Sequence, residues 1–114
     1  MASTDMREPT FLVLSALAGG RKHGYAIISE ADAASHGRVK LKAGTLYTAL
    51  DRLTREGLVA PDGDEIVDGR LRRYYELTDS GAEALAVEAN RQQSNARHAL
   101  AQLASRAVRP AVAR

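Results

Sequence analysis

In the stretch GTLYTALDRLTREGLV (Gly44 to Val59), Leu46, Leu50 and Leu53 follow one another at spacings of four and three residues. At 3.6 residues per turn that spacing stacks all three along one side of an α-helix. The chain must therefore supply a core for this row. Thr45, Thr48, Arg52 and Arg55 fall on the opposite side, and Gly57 is a natural C-terminal stop. Asp51 and Glu56 stand four residues from Arg55 and Arg52, close enough to tether both arginines on the helix surface. An outward face of threonine and arginine is either an ordinary solvated surface or a reading surface. The helix alone does not separate the two.

The elements around it narrow the choice. A first helix is expected from Pro9 to Ala18, nearly all apolar and stopped by Gly19-Gly20. After the turn GGRKHG, a second helix reads YAIISEADAAS. Ile27, Ala31 and Ala34 lie in one row and Tyr25 and Ile28 in the next, so Tyr25 is assigned to the core. His36-Gly37 ends that helix, and Arg38 to Leu41 (RVKL) alternates as a short extended segment would. LVAP then reads as a strand, DGDEIVDG as a turn-rich loop longer than a tight turn, and RLRRYYELT as a second strand. Leu71, Arg73, Tyr75 and Leu77 share one face of it, and Arg72, Tyr74 and Glu76 the other. Tyr75 and Leu77 are read as core.

A last helix starts at TDSGAEAL, with Thr78, Asp79 or Ser80 as caps, and runs to about Arg106 before Pro110 closes the pattern. Leu85, Ala89, Ala96, Leu100 and Leu103 mark a seam near heptad spacing, interrupted by NRQQSN, along which two chains would dimerise.

Composition excludes several classes. Without cysteine there is no disulfide, thiolate metal site or cysteine nucleophile. His23, His36 and His98 are too scattered to suggest a metal set, and no Ser-His-Asp arrangement, Walker loop or GxGxxG occurs. Neither an enzyme nor a cofactor is expected. The longest apolar run, Phe11 to Ala18, is far short of a membrane span of about 20 residues. Asp5 and Glu8 make the leader unlike a signal peptide, so a cytoplasmic location is expected. Four tyrosines and one phenylalanine in a chain of 114 residues permit only a small core, which sharing between two chains would help. The net charge of +2 is uninformative, but Arg21, Lys22, Arg38, Lys40 and Lys42 cluster before the leucine-row helix, and Arg70, Arg72 and Arg73 cluster in the last strand.

Helix, helix, helix, hairpin and long helix, in that order, make a winged helix-turn-helix of mainly α (α+β) class with a two-stranded wing. We expect a DNA-binding unit over residues 9–78, a dimerisation helix over 79–107, and flexible tails at 1–8 and 108–114. A major groove about 12 Å wide admits one helix that is apolar behind and short-polar or basic in front. Thr45, Thr48, Arg52 and Arg55 meet that condition, and Lys40 and Lys42 add charge at the helix N-terminus. Arg70, Arg72 and Arg73 stand where a wing would follow the DNA backbone. Arg72 and Arg73 could equally pair with Glu76 or the acidic loop. The carboxylates Asp62, Asp64, Glu65 and Asp68 would be repelled by phosphate, so only the arginine end of the wing is expected to touch DNA.

Three blocks carry a resemblance. HGYAI (His23 to Ile27), GTLYTALDRLTREGLV and RRYYELTDSGAEAL (Arg72 to Leu85) resemble, in order and distance, the signatures of PadR-family transcriptional regulators over roughly residues 11–90. The resemblance implies a homodimer on a palindromic operator, acting as a repressor. It implies dimerisation through the last helix, and a Tyr47 able to reach DNA, although Tyr47 could also be a core-edge residue. Some relatives bind planar drugs between aromatic residues of the last helix. This chain has no aromatic residue from Ala82 onward, so a small-molecule effector would need a different cavity between chains. The alternative is a winged helix that binds a protein through the same face or through the acidic loop.

Overall fold

The computed structural model describes residues 6–108. The tails at 1–5 and 109–114, with Pro110, lie outside them. The order is α1 (Glu8–Ala18), β1 (Lys22–His23), α2 (Gly24–Ala34), α3 (Ala43–Arg55), β2 (Val59–Val67), β3 (Arg70–Leu77) and α4 (Asp79–Val108).

α1 is the central core helix, with Leu12, Val13, Leu14, Ala16 and Leu17 buried. At its C-terminal end the Gly19 and Gly20 N–H groups donate to Ala16 O and Leu17 O, and the Lys22 ammonium donates to Ala16 O at 2.8 Å and to Gly20 O, just past the helix, at 3.3 Å. A cation at that end also meets the negative end of the helix dipole. Leu46, Leu50 and Leu53 of α3 are wholly buried against α1, Ile27, Val59 and Tyr75. Each leucine contributes about 1.5–3 kcal/mol of apolar burial, which is why the row dictates where α3 lies.

The sheet is antiparallel in the order β1-β3-β2. Its third strand lies in the GGRKHG segment expected as a turn: Lys22 and His23 pair with Tyr75 and Tyr74. The alternating Arg38–Leu41 segment is not a strand. It lies beside α1 and α2 instead, held by an Arg38–Glu8 ion pair and by Val39 N donating to Ser35 Oγ at 2.8 Å.

The expected acidic loop is also mostly strand. β2 continues to Val67, and the turn is only Asp68-Gly69. Both residues adopt left-handed backbone (φ 52° and 76°), the combination whose twist matches a two-residue hairpin. The extra chain length is absorbed between Pro61 and Asp64, where the register slips and Gly63 takes φ 86°. Arg21 clasps this bulge. Its guanidinium stacks 3.9 Å over the Tyr74 ring and pairs with the Asp62 carboxylate at 3.3 Å.

Thr78 is the cap of α4, accepting from Gly81 N at 2.9 Å and donating to Gly57 O at 2.6 Å. At Gly81 the helix approaches so closely that a Cβ would lie 2.1 Å from Leu58 O. Leu85 packs against the chain's own core, and Glu88 is the last buried residue, bound by Arg91 and Gln92. From Ala89 to Ala107 every residue is exposed. Among the described residues no helix is long and apolar enough to cross a membrane.

Candidate nucleic-acid interface

The burial of the leucine row turns the other side of α3 outward. Thr45, Thr48 and Arg55 are exposed on it, and Gly44 faces open space. Lys42 occupies the N-cap position without a side-chain cap bond, so first-turn N–H groups remain available to an anion. Lys40 is exposed but bound to Asp32 at 3.0 Å.

The two flanks of α3 behave differently from its crest. Arg52 turns back toward α1, donating to Thr10 Oγ1 at 3.0 Å and pairing with Glu56 at 3.5 Å. The expected Arg52–Glu56 tether is therefore present. Among the described residues Arg55 has no ion pair, with Asp51 or otherwise. On the opposite flank Tyr47 crosses the start of α2, and a Cβ at Gly24 would lie 2.4 Å from its hydroxyl. A side chain there would displace the Tyr47 ring. Tyr47 is consequently both a packing residue and 42% exposed.

In the wing, Arg70 and Arg73 are exposed and Arg72 is half-buried. Arg73 stands 3.7 Å from the Asp64 carboxylate, and Glu65, the ladder partner of Arg72, accepts from the Tyr74 hydroxyl at 2.6 Å. That bond to Glu65 raises the Tyr74 pKa above the ordinary tyrosine value. Three of the four wing carboxylates are thus engaged within the hairpin or by Arg21. The arginine end of the wing and Tyr47 on the flank of α3 border a shallow groove of about 190 Å³, with the start of α2 along it.

One residue of this region is expected elsewhere from sequence. Tyr25, expected in the core, is 73% exposed at the groove, because α2 turns Ile27 and Ala31 inward and, of the neighbouring row, packs Ile28 partly against the core and leaves Tyr25 outside. His23 caps α2 by accepting from Ala26 N through Nδ1 at 3.4 Å, and its ring meets Tyr74 edge-on at 5.4 Å. Burial and then the nearby Arg72 lower its pKa below the usual histidine value, with Glu65 opposing. The HGY triplet was the available signal, but it identifies a helix start and not which side chains face out.

Of the expected dimer seam, Ala89, Ala96, Leu100 and Leu103 are exposed, and Leu85 is the member taken into the chain's own core.

Comparison with known proteins agrees with this architecture. The model of the transcriptional regulator PadR-like family matches residues 13–87. The chain is 41% identical over 101 residues to an uncharacterized 37.1 kDa protein in transposon TN4556 of Streptomyces fradiae, covering 89% of this chain and 25% of that protein. It is 38% identical over 61 residues to transcriptional regulator Rv3488 of Mycobacterium tuberculosis, 54% of this chain and 56% of that one. It thus spans a quarter to just over half of these relatives. Among solved structures, a PadR family transcription regulator from Clostridium difficile matches 85% of this chain and 98% of its own at 26% identity, with a TM-score of 0.67. Bacillus subtilis PadR in complex with operator DNA matches 67% of this chain and 43% of its own at 28% identity, with a TM-score of 0.58.

Proposed function

Because the chain belongs to the PadR-like family of transcriptional regulators, we propose that it binds double-stranded DNA as a homodimer and represses transcription from a palindromic operator. The observation that carries this reading is the division of α3. Its leucine row is fully buried, and its outward crest of Thr45, Thr48 and Arg55 is exposed. Such a helix enters a major groove, with threonine hydroxyls and methyls and an arginine fork toward base edges and phosphates. Lys40 and Lys42 flank its N-terminus, and Arg70, Arg72 and Arg73 extend the basic surface to the wing, while Arg52 braces the helix from behind. That Bacillus subtilis PadR was solved with operator DNA supports DNA as the partner.

The dimer reading rests on α4. Leu100 and Leu103 are 67% and 57% exposed on a helix that, among the described residues, is exposed throughout beyond Glu88, and a second copy covers them most economically. A small molecule that separates or rotates the two copies would release the DNA.

Selection of genomic fragments with the purified protein tests the whole reading. Enriched fragments should carry inverted half-sites about 34 Å apart, one duplex turn, and affinity should fall steeply with salt. No enrichment, together with salt-insensitive binding, would sink it. One observation favours the second reading, a wing that binds a protein: Ile66 and Leu71 pair across the hairpin and are 73% and 60% exposed. Recovery of one protein and no DNA fragment would support that reading instead.

A further inference from the structure

Tyr25 is a large aromatic side chain left in water at the mouth of the groove between α2, α3 and β3, forgoing the burial its helix could have given it. What surrounds it is consistent in chemistry. Tyr47, Arg70, Arg72 and Arg73 line the same groove, and no carboxylate is among its lining residues. Arg73 is partly occupied by Asp64, and Arg72 lies across the ladder from Glu65. Among the described residues Arg70 has no ion pair or side-chain hydrogen bond. His23, whose Nδ1 is taken by Ala26 N–H, contributes a wall and not a competing acceptor.

Phenol hydroxyls and guanidinium forks around a hollow without carboxylates recognise an anion carrying several oxygens, and the fork geometry suits phosphate. We propose that this groove takes one backbone phosphodiester of the bound duplex, with the Tyr25 and Tyr47 hydroxyls donating to it beside the guanidinium groups of Arg70 and Arg72. The inference rests on the DNA-binding reading and deepens it. A phosphate held here touches α2, α3 and the wing together, so it sets the position of α3 in its groove without reading sequence. Tyr25 and Tyr47 are positioning residues in this scheme.

Tyr25→Phe removes one hydroxyl and keeps the ring. It should weaken binding about three- to tenfold on operator and unrelated duplex alike, the value of one hydrogen bond. Its salt dependence should match wild type, because no charge is lost. Arg70→Ala should weaken binding and also reduce the slope of log K against log salt by about one. Replacing single DNA phosphates by neutral methylphosphonates should reveal a position in each half-site whose neutralisation weakens Tyr25→Phe less than it weakens wild type. An unchanged thermal midpoint checks that Tyr25→Phe is folded.

If wild type binds DNA and Tyr25→Phe binds equally well with no such coupled position, the phosphate assignment is wrong and the DNA-binding reading stands. If wild type binds no DNA, both fall. Free mononucleotide that binds the protein, displaces DNA and loses affinity in Tyr25→Phe would assign the groove to a soluble ligand and overturn the backbone assignment.

Discussion

Arg55 projects from the last turn of α3 into solvent, whereas Arg52, three residues earlier, folds back to Thr10 of α1 and to Glu56. On a helical wheel both are polar and both lie away from the leucine row. Only the placement of α1 beside one flank of α3 distinguishes them. Arg55→Ala should weaken operator binding by about 1–3 kcal/mol if the guanidinium meets a base, with little change in thermal midpoint. Arg52→Ala should instead destabilise the fold by about 1 kcal/mol through loss of its part-buried hydrogen bond, moving the midpoint by several degrees. Anisotropy titration and thermal melts on the two variants check the division. An Arg52→Ala protein with an unaltered midpoint and crippled DNA binding would reverse it. Tyr47 shows the same dependence on context. Its hydroxyl passes over Gly24, so the paired glycine and tyrosine of the sequence are one packing contact between helices.

At the level of elements, the start of α2 and the wing are built from a few local decisions. His23 ends β1, caps α2 through Nδ1 and packs edge-on to Tyr74 of β3. Protonation at Nδ1 would destroy the cap and place a positive charge at the positive end of the helix dipole. This agrees with a pKa held low by burial and Arg72. The sign follows from linkage: the unfolded chain takes up the proton more readily than the folded one. The stabilisation is therefore complete above the unfolded pKa of about 6.5 and is lost as pH falls from there through the lower folded value. His23→Asn keeps a capping group that does not titrate. Its midpoint should fall less than that of wild type between about pH 7 and pH 5. Parallel pH profiles for the two proteins would refute the role of His23. In the wing, Asp68-Gly69 was the visible turn signal all along. Counting the whole acidic stretch as loop missed that a bulge at residues 62–63, held by Arg21, lets the strand continue.

The described residues measure 71 × 33 × 21 Å, because α4 leaves the globular part after Glu88 and every residue from Ala89 to Ala107 is exposed. We propose that a second copy covers this helix, and Leu100→Asp tests it. We expect sedimentation to show a monomer with weakened operator binding, whereas an intact dimer would remove Leu100 from the seam. Leu85→Asp would be a poorer test, since Leu85 belongs to the chain's own core. The elements that announced themselves in sequence are those whose signal is local and periodic. The leucine row of α3, the apolar run of α1, the glycine stops and the length of α4 needed only helical geometry to be read. The family blocks belong here too, because they are strings of such local patterns at fixed distances. What needed the folded chain was whatever depends on which element lies beside which. β1 is two residues long and exists only because Tyr74 and Tyr75 offer it a ladder. Tyr25 faces out because Ile27 and Ala31 compete better for the core. Arg52 and Arg55 part company because α1 flanks one and not the other. A side chain's periodicity is set by its own helix or strand, but its partner is set by a segment far away in the chain.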